Sequence, residues 1–214
     1  MEPAEAAVEA ENLGVRTHRG WIYSDVTLLA CPGDVVAVAG PGGSGRTSLL
    51  LTVAGRMRPS AGSLRVCGLP LPRSAAKVRA KAAVARLTGA AELEPELRVR
   101  DHVRERRLTS GGPGSSDAFG QACEAIRADL PAKELVGDLH PADATRLALA
   151  LALMERPEVL VLDDLDDGAD GADQQELWKA VRRAADTGVT VLATTTEPSP
   201  AEGLADVHVS LGGN

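Results

Sequence analysis

The chain of 214 residues has almost no aromatic side chains: Trp21, Tyr23, Phe119 and Trp178 are the whole set, 2% of the sequence. Its core must therefore be assembled from Ala, Val and Leu, small pieces that have to interlock closely to reach native packing density. Lysine is nearly absent too, with 4 residues against 19 arginines, a bias that reads as genome composition rather than function. Positive charge is in deficit, and the net charge is -7. That balance disfavours non-specific attachment to nucleic acid or to anionic lipid, so no nucleic-acid partner is expected. The three cysteines, Cys31, Cys67 and Cys123, are scattered and odd in number. They have neither metal-ligand spacing nor the pattern of a disulfide framework, and the simple expectation is a reduced, cytosolic chain. The acidic N-terminal stretch MEPAEAAVEAE has no basic segment followed by an apolar one, so no signal peptide is expected. The longest apolar run, Leu147 to Met154, falls far short of the roughly 20 residues that span a bilayer. Any membrane role is expected to come through a partner.

What is present is punctuation and periodicity. The length fits one domain, 1–214. Residues 8–12 and 26–29 read as strands of an N-terminal antiparallel layer, joined through a turn at His18-Arg19-Gly20. Pro32-Gly33-Asp34 is a turn signal, and 35–39 (VVAVA) is then an apolar run of the kind buried on both sheet faces. A helix is predicted over 46–56, ending near Gly55, then an edge strand over 62–68 and a core strand over 82–87. Residues 100–156 are mostly helical in pattern and mark a small helical subdomain, interrupted by a flexible low-complexity loop at 109–116. Strands at 159–162 and 189–194 flank a helix over 173–185, and a short strand at 207–211 follows. Strands alternating with helices imply a largely parallel α/β sheet.

The most informative stretch is Gly40-Pro41-Gly42-Gly43-Ser44-Gly45-Arg46-Thr47-Ser48. It follows the P-loop pattern G-x-x-x-x-G-K-[ST] with one departure. Glycines let successive backbone N–H groups converge into an anion nest, and the helix behind them adds its positive end. Thr47 supplies the hydroxyl expected on Mg²⁺. Arg46 stands in the lysine position, keeping the charge but spreading it over a wide planar fork.

Further along, the apolar run at 159–162 ends in Asp163 and Asp164, after Arg156-Pro157-Glu158. Gly168-Ala169-Asp170 follows, and Arg146 leads into the helix LALALALM. In this order and spacing the chain resembles the ATP-binding cassette (ABC) ATPases over residues 6–212. The interval from Arg46 to Leu139, 93 residues, is close to that family's usual separation of its phosphate loop and signature. The resemblance implies a P-loop NTPase with an ABC-type core, an N-terminal antiparallel β layer and a helical subdomain. It implies ATP and Mg²⁺ as ligands, with Thr47 and Asp163 on the metal. Asp164 matches the glutamate that polarises attacking water but is one methylene shorter. Asp170 matches the D-loop aspartate; Asp166, Asp167 and Asp173 read as a solvated acidic loop.

Other family positions are altered. The signature segment LSGGQ corresponds to Leu139-His140-Pro141-Ala142-Asp143. Pro141 has no N–H to offer a phosphate, and Pro followed by Asp is equally a good helix start. The Q-loop glutamine corresponds to Gly89, the switch histidine to Thr196, and the adenine-stacking aromatic to Thr17, with Trp21 or Tyr23 as substitutes. The resemblance implies a nucleotide-binding subunit peripheral to the inner face of the membrane, docked on a transmembrane subunit through residues 87–100 and the helical subdomain and paired with a second nucleotide-binding subunit as a homo- or heterodimer. The substitutions lead us to expect weak or absent hydrolysis, the alternative being a non-catalytic scaffold that stabilises a membrane partner.

Overall fold

The computed structural model describes residues 6–89, 91–109 and 117–212. The elements in chain order are β1 (Val8–Thr17), β2 (Gly20–Ala30), β3 (Val35–Ala39), α1 (Arg46–Val53), β4 (Ala61–Val66), β5 (Leu69–Pro70), α2 (Ala75–Arg79), β6 (Ala82–Arg86), α3 (Val99–Thr109), α4 (Ala118–Ile126), α5 (Pro141–Leu153), β7 (Val159–Leu162), α6 (Gly171–Ala185), β8 (Thr190–Thr195) and β9 (Val207–Ser210). One sheet has the order β2-β1-β4-β5 and is antiparallel. The other has the order β6-β7-β8-β3-β9 and is parallel throughout. The low-complexity loop lies outside the described residues from position 110 onward.

The parallel strands divide the core by their period of two. Val36, Val38, Val84, Val159, Val161 and Leu192 point to one side, where they meet α1 and the antiparallel sheet. Val35, Ala37, Leu160, Leu162, Val191 and Ala193 point to the other, against α4, α5 and α6. Continuous apolar runs such as VVAVA are what a strand covered on both faces requires. Helix α5 is buried almost all round. Ala148, Leu149 and Ala152 join the sheet-facing core, while Leu147 and Leu151, one turn apart, pack with Val99, Val103 and Val136. Ala83 and Ala85 of β6 lie in the same cluster as the α5 alanines, so small side chains on both elements allow close approach. Trp178 of α6 is the largest fully buried side chain.

Several boundaries differ from the sequence expectation. The stretch expected as an edge strand over 62–68 is β4, which lies inside its sheet between β1 and the two-residue β5. Strands β1 and β2 run on past the expected ends, because β1 bulges at Asn12 (φ 46) and resumes pairing at Leu13. Helix α1 stops at Val53, before position 56. There Gly55 (φ +69) lets the N–H groups of Gly55 and Arg56 close on the carbonyls of Thr52 and Leu51, a Schellman stop. Among the described residues no helix is long and apolar enough to cross a membrane.

Leu149 is 1% exposed in the helix-facing core. Leu149→Ala should lower the unfolding free energy by about 2–5 kcal/mol, read as a lower urea midpoint at unchanged slope.

Candidate functional site

Strand β3 delivers the chain to Gly40, where any side chain would collide: a Cβ there would sit 2.5 Å from the Leu211 carbonyl and 2.6 Å from Ser44 Oγ. The loop then turns through Pro41, Gly42 and Gly43, which are exposed, and re-enters at Ser44, which is buried. Gly45 caps α1 at φ +93 with its α-carbon against Ile22 of β2, whose carbonyl would lie 2.8 Å from an added Cβ. Thr47 and Ser48 follow in the first turn, and the Ser48 carbonyl accepts from Thr52 Oγ1 at 2.7 Å. Two polar atoms in this loop, Ser44 Oγ and Arg46 Nη1, are buried without a protein partner. Buried donors without partners are costly, a cost that a ligand accepting from them would remove.

The acids at the end of β7 meet this loop. Asp163 is fully buried. Thr47 Oγ1 donates to its Oδ2 at 2.7 Å and Thr194 Oγ1 to its Oδ1 at 2.6 Å, with the Thr88 N–H at 3.4 Å from Oδ2. Among the described residues no Lys or Arg forms an ion pair with it. A hydroxyl and a carboxylate side by side, both hard oxygen donors, fit a Mg²⁺ that takes its remaining ligands from water and phosphate. Asp164 is engaged differently. Arg46 Nη2 donates to its Oδ1 at 2.8 Å, and Thr88 Oγ1 donates to its Oδ2 at 2.9 Å. The Arg46 and Asp164 side chains are 9% and 25% exposed, so the pair is only partly screened by water. The two residues that depart from the family pattern in loop and acid pair are thus bound to each other. The longer fork of arginine meets the shorter aspartate.

Thr196 lies beyond β8 and is exposed. Its N–H donates to Asp166 Oδ2 at 2.8 Å, and its hydroxyl donates to the same atom. The expectation that Asp166 belongs to a solvated acidic loop is therefore corrected. Burial works against its ionisation, but hydrogen bonds from the Thr196 hydroxyl and N–H, from its own backbone N–H and from Thr195 together hold the carboxyl below the ordinary range. Tyr23 is also corrected as a stacking candidate. It is buried, its hydroxyl donates to Thr52 Oγ1 at 2.9 Å, and burial pushes its pKa up to about 12. Trp21, exposed on the same strand with the Arg16 guanidinium 5.8 Å above its ring, is the accessible aromatic beside the loop-packing Ile22. Thr17 ends β1, at the hairpin.

The 139–143 segment is a helix start. His140 is extended at the cap, Pro141 opens α5, and Asp143 pairs with Arg146 at 2.7 Å. Asp170 caps α6, accepting from the N–H groups of Ala172 and Asp173 at 2.9 Å. Gly89 sits at φ +72, a turn that brings the preceding Thr88 to both acids. Thr88, Thr194 and Arg86 escaped the sequence reading. Threonine in a strand reads as β-propensity, and only the sheet order brings Thr194 of β8 against Asp163, just beyond β7.

A glycine loop joining the second-last strand of a parallel sheet to a helix, with an acid at the end of the next strand but one reaching the helix's hydroxyl, is the architecture of the P-loop nucleoside triphosphatases. Residues 23–166 match the family model described as ABC transporter, and the chain belongs to that family. The Nod factor export ATP-binding protein I of Paraburkholderia xenovorans is 29% identical over 202 residues, covering 94% of this chain and 66% of its own length. The protein of that name from Burkholderia thailandensis is 32% identical over 184 residues, 81% of this chain and 57% of its own. The chain thus spans less than two thirds of these relatives. Among solved structures, cbiO1 from Clostridium perfringens, part of the ABC transporter complex cbiONQ, superposes with a TM-score of 0.81 at 18% identity, over 96% of this chain and 84% of its own. The dimeric bacterial ABC transporter cassette MJ0796 superposes with a TM-score of 0.75 at 16% identity, over 96% and 94% of the two chains. These likenesses show the fold.

Thr194→Val should cost about 1–3 kcal/mol of stability despite its equal size. It removes both the donor to Asp163 and the acceptor, at 2.7 Å, of the Asp164 N–H. Denaturant unfolding checks this. The lowered pKa of Asp166 makes a stabilising contribution that is full above the unfolded carboxylate value of about 3.9 and is lost as pH falls below it. The stability gap between the protein and its Asp166→Asn variant should therefore narrow on acidification from pH 6 to pH 3, and a gap independent of pH contradicts the assignment.

Proposed function

We propose that this chain is the nucleotide-binding subunit of an ABC-type transporter or membrane complex, binding ATP-Mg²⁺ through residues 40–48 and hydrolysing it weakly or not at all. The observation that carries this reading is the Arg46–Asp164 ion pair beside the unsatisfied Ser44 Oγ and Arg46 Nη1. The unsatisfied atoms favour a bound phosphate chain. The ion pair engages the loop's cation with the only side chain in the general-base position. When bound, Mg²⁺ would neutralise phosphate charge, with Thr47 and Asp163 as its protein ligands.

The chain's own residues supply binding and orientation. The glycine loop offers converging N–H groups, Arg46 offers a second guanidinium nitrogen, and Trp21 offers an aromatic face at the rim for the base. The groups that would ready water for attack are weaker. Asp164 is short and held by Arg46 and Thr88, and the Thr196 hydroxyl is directed to Asp166. Phosphoryl transfer is accelerated mainly by charges placed around the transferring group, so replacing several of them together slows the reaction at its source. Residues 100–156 serve in this reading as the helical part of a single domain. Residues 87–100 face a transmembrane subunit, and a second nucleotide-binding subunit completes the assembly at the inner face of the membrane. The names of the relatives suggest export as the process served.

The test is a thermal shift with ATP, with and without Mg²⁺, beside a phosphate-release assay. Ligand at 100 times its Kd should stabilise by about 2.7 kcal/mol, an upward shift of roughly 5–10 °C. Turnover should be slow or undetectable, and Arg46→Lys, Asp164→Glu and Thr196→His together should raise it. Rapid Mg²⁺-dependent turnover abolished by Asp163→Ala would overturn the weak-hydrolysis reading. No shift at millimolar ATP would favour the scaffold.

A further inference from the structure

Arg86 is out of place by composition. It ends β6, an otherwise Ala/Val strand buried in the parallel sheet, and nothing in the phosphate loop or acid pair requires it. Its guanidinium nonetheless reaches three acceptors on two elements. Nε donates to the Asp163 carbonyl at 3.3 Å, Nη2 donates to the Asp164 carbonyl, and Nη1 donates to Thr145 Oγ1 at 3.2 Å. The Arg86 carbonyl also accepts the Asp163 N–H at 3.0 Å. Thr145 is 1% exposed in the second turn of α5, and its hydroxyl donates back to the Pro141 carbonyl at 3.2 Å. A planar fork with five donors can hold such divergent acceptors at once; a point charge cannot.

The residue it holds needs holding. Asp164 has φ 42, a left-handed conformation that side chains other than glycine and, less often, Asn or Asp avoid. Its N–H is fixed by Thr194 and its carbonyl by Arg86. The same turn touches α5 again at Gly168 (φ +69), where an added Cβ would lie 3.0 Å from the Pro141 ring.

We propose that Arg86 is a positioning residue of the phosphate site. It fixes the Asp163–Asp164 turn and ties it to the start of α5, so that the metal-binding acid and the 139–143 segment move as one unit. Its effect on nucleotide rests on the function proposed above; its effect on the two segments does not.

The experiment uses the full chain and the Arg86→Met variant. Hydrogen–deuterium exchange without nucleotide should rise at least ten-fold in both 163–167 and 141–146, and not in β4. A rise in one segment alone, or in neither, overturns the coupling. Binding of a fluorescent ATP analogue is then measured with Mg²⁺ and in EDTA. The ratio of the two affinities should fall at least five-fold in the variant, and an unchanged ratio overturns the positioning role. If the unsubstituted chain binds no nucleotide, the proposed function fails while the exchange measurement still decides on Arg86. Should Arg86→Met not fold, Thr145→Val removes only the α5 end of the contact. It should raise exchange at 163–167 on a different element, and no change there overturns the proposal.

Discussion

The glycine loop and the strand ends around it are organised about one buried carboxyl group. Asp163 sits at the end of β7 with its two oxygens satisfied by hydroxyls from α1 and β8 and approached by an N–H from the turn after β6. Three parallel strand ends and one helix start therefore have a common point of attachment. A buried polar network is costly unless complete, and when complete it fixes one arrangement. The loop and the acid pair hold their mutual geometry because each is bonded to that network.

The same geometry explains how the altered residues coexist. Each substitution taken alone looks like loss: a wider cation, a shorter acid, a hydroxyl for an imidazole. In three dimensions they form pairs. Arg46 is paired with Asp164 and Thr196 with Asp166, while Arg46 Nη1 stays buried without a protein partner. A ligand drawing on Arg46 has to compete with its contact to Asp164.

Much of this was legible in the residues. The strand at 159–162 is where its unbroken apolar run placed it, and the loop stands between strand and helix as its glycines require. Elements defined by a long apolar run or an obligatory turn declare themselves locally. Asp166 did not, because an acidic loop looks solvated until the partner thirty residues away is known. Arg86 was invisible for the same reason: an arginine at a strand end has many ordinary explanations, and its three acceptors come from two distant segments. Helix α1 ends a few residues short of its expected boundary because helical pattern persists beyond the glycine that closes it.

The strand order carries a consequence for how the molecule comes into being. Strand β3, which leads into the phosphate loop, is flanked on both sides by β8 and β9. Gly40 is packed against the carbonyl of Leu211. A chain synthesised from its N-terminus exposes the loop early, but both neighbours of its supporting strand are more than 150 residues away in sequence. Contacts so distant in sequence are slow to close. A chain in which β8 and β9 have not yet docked therefore has the glycines of the loop without the strands that shape them.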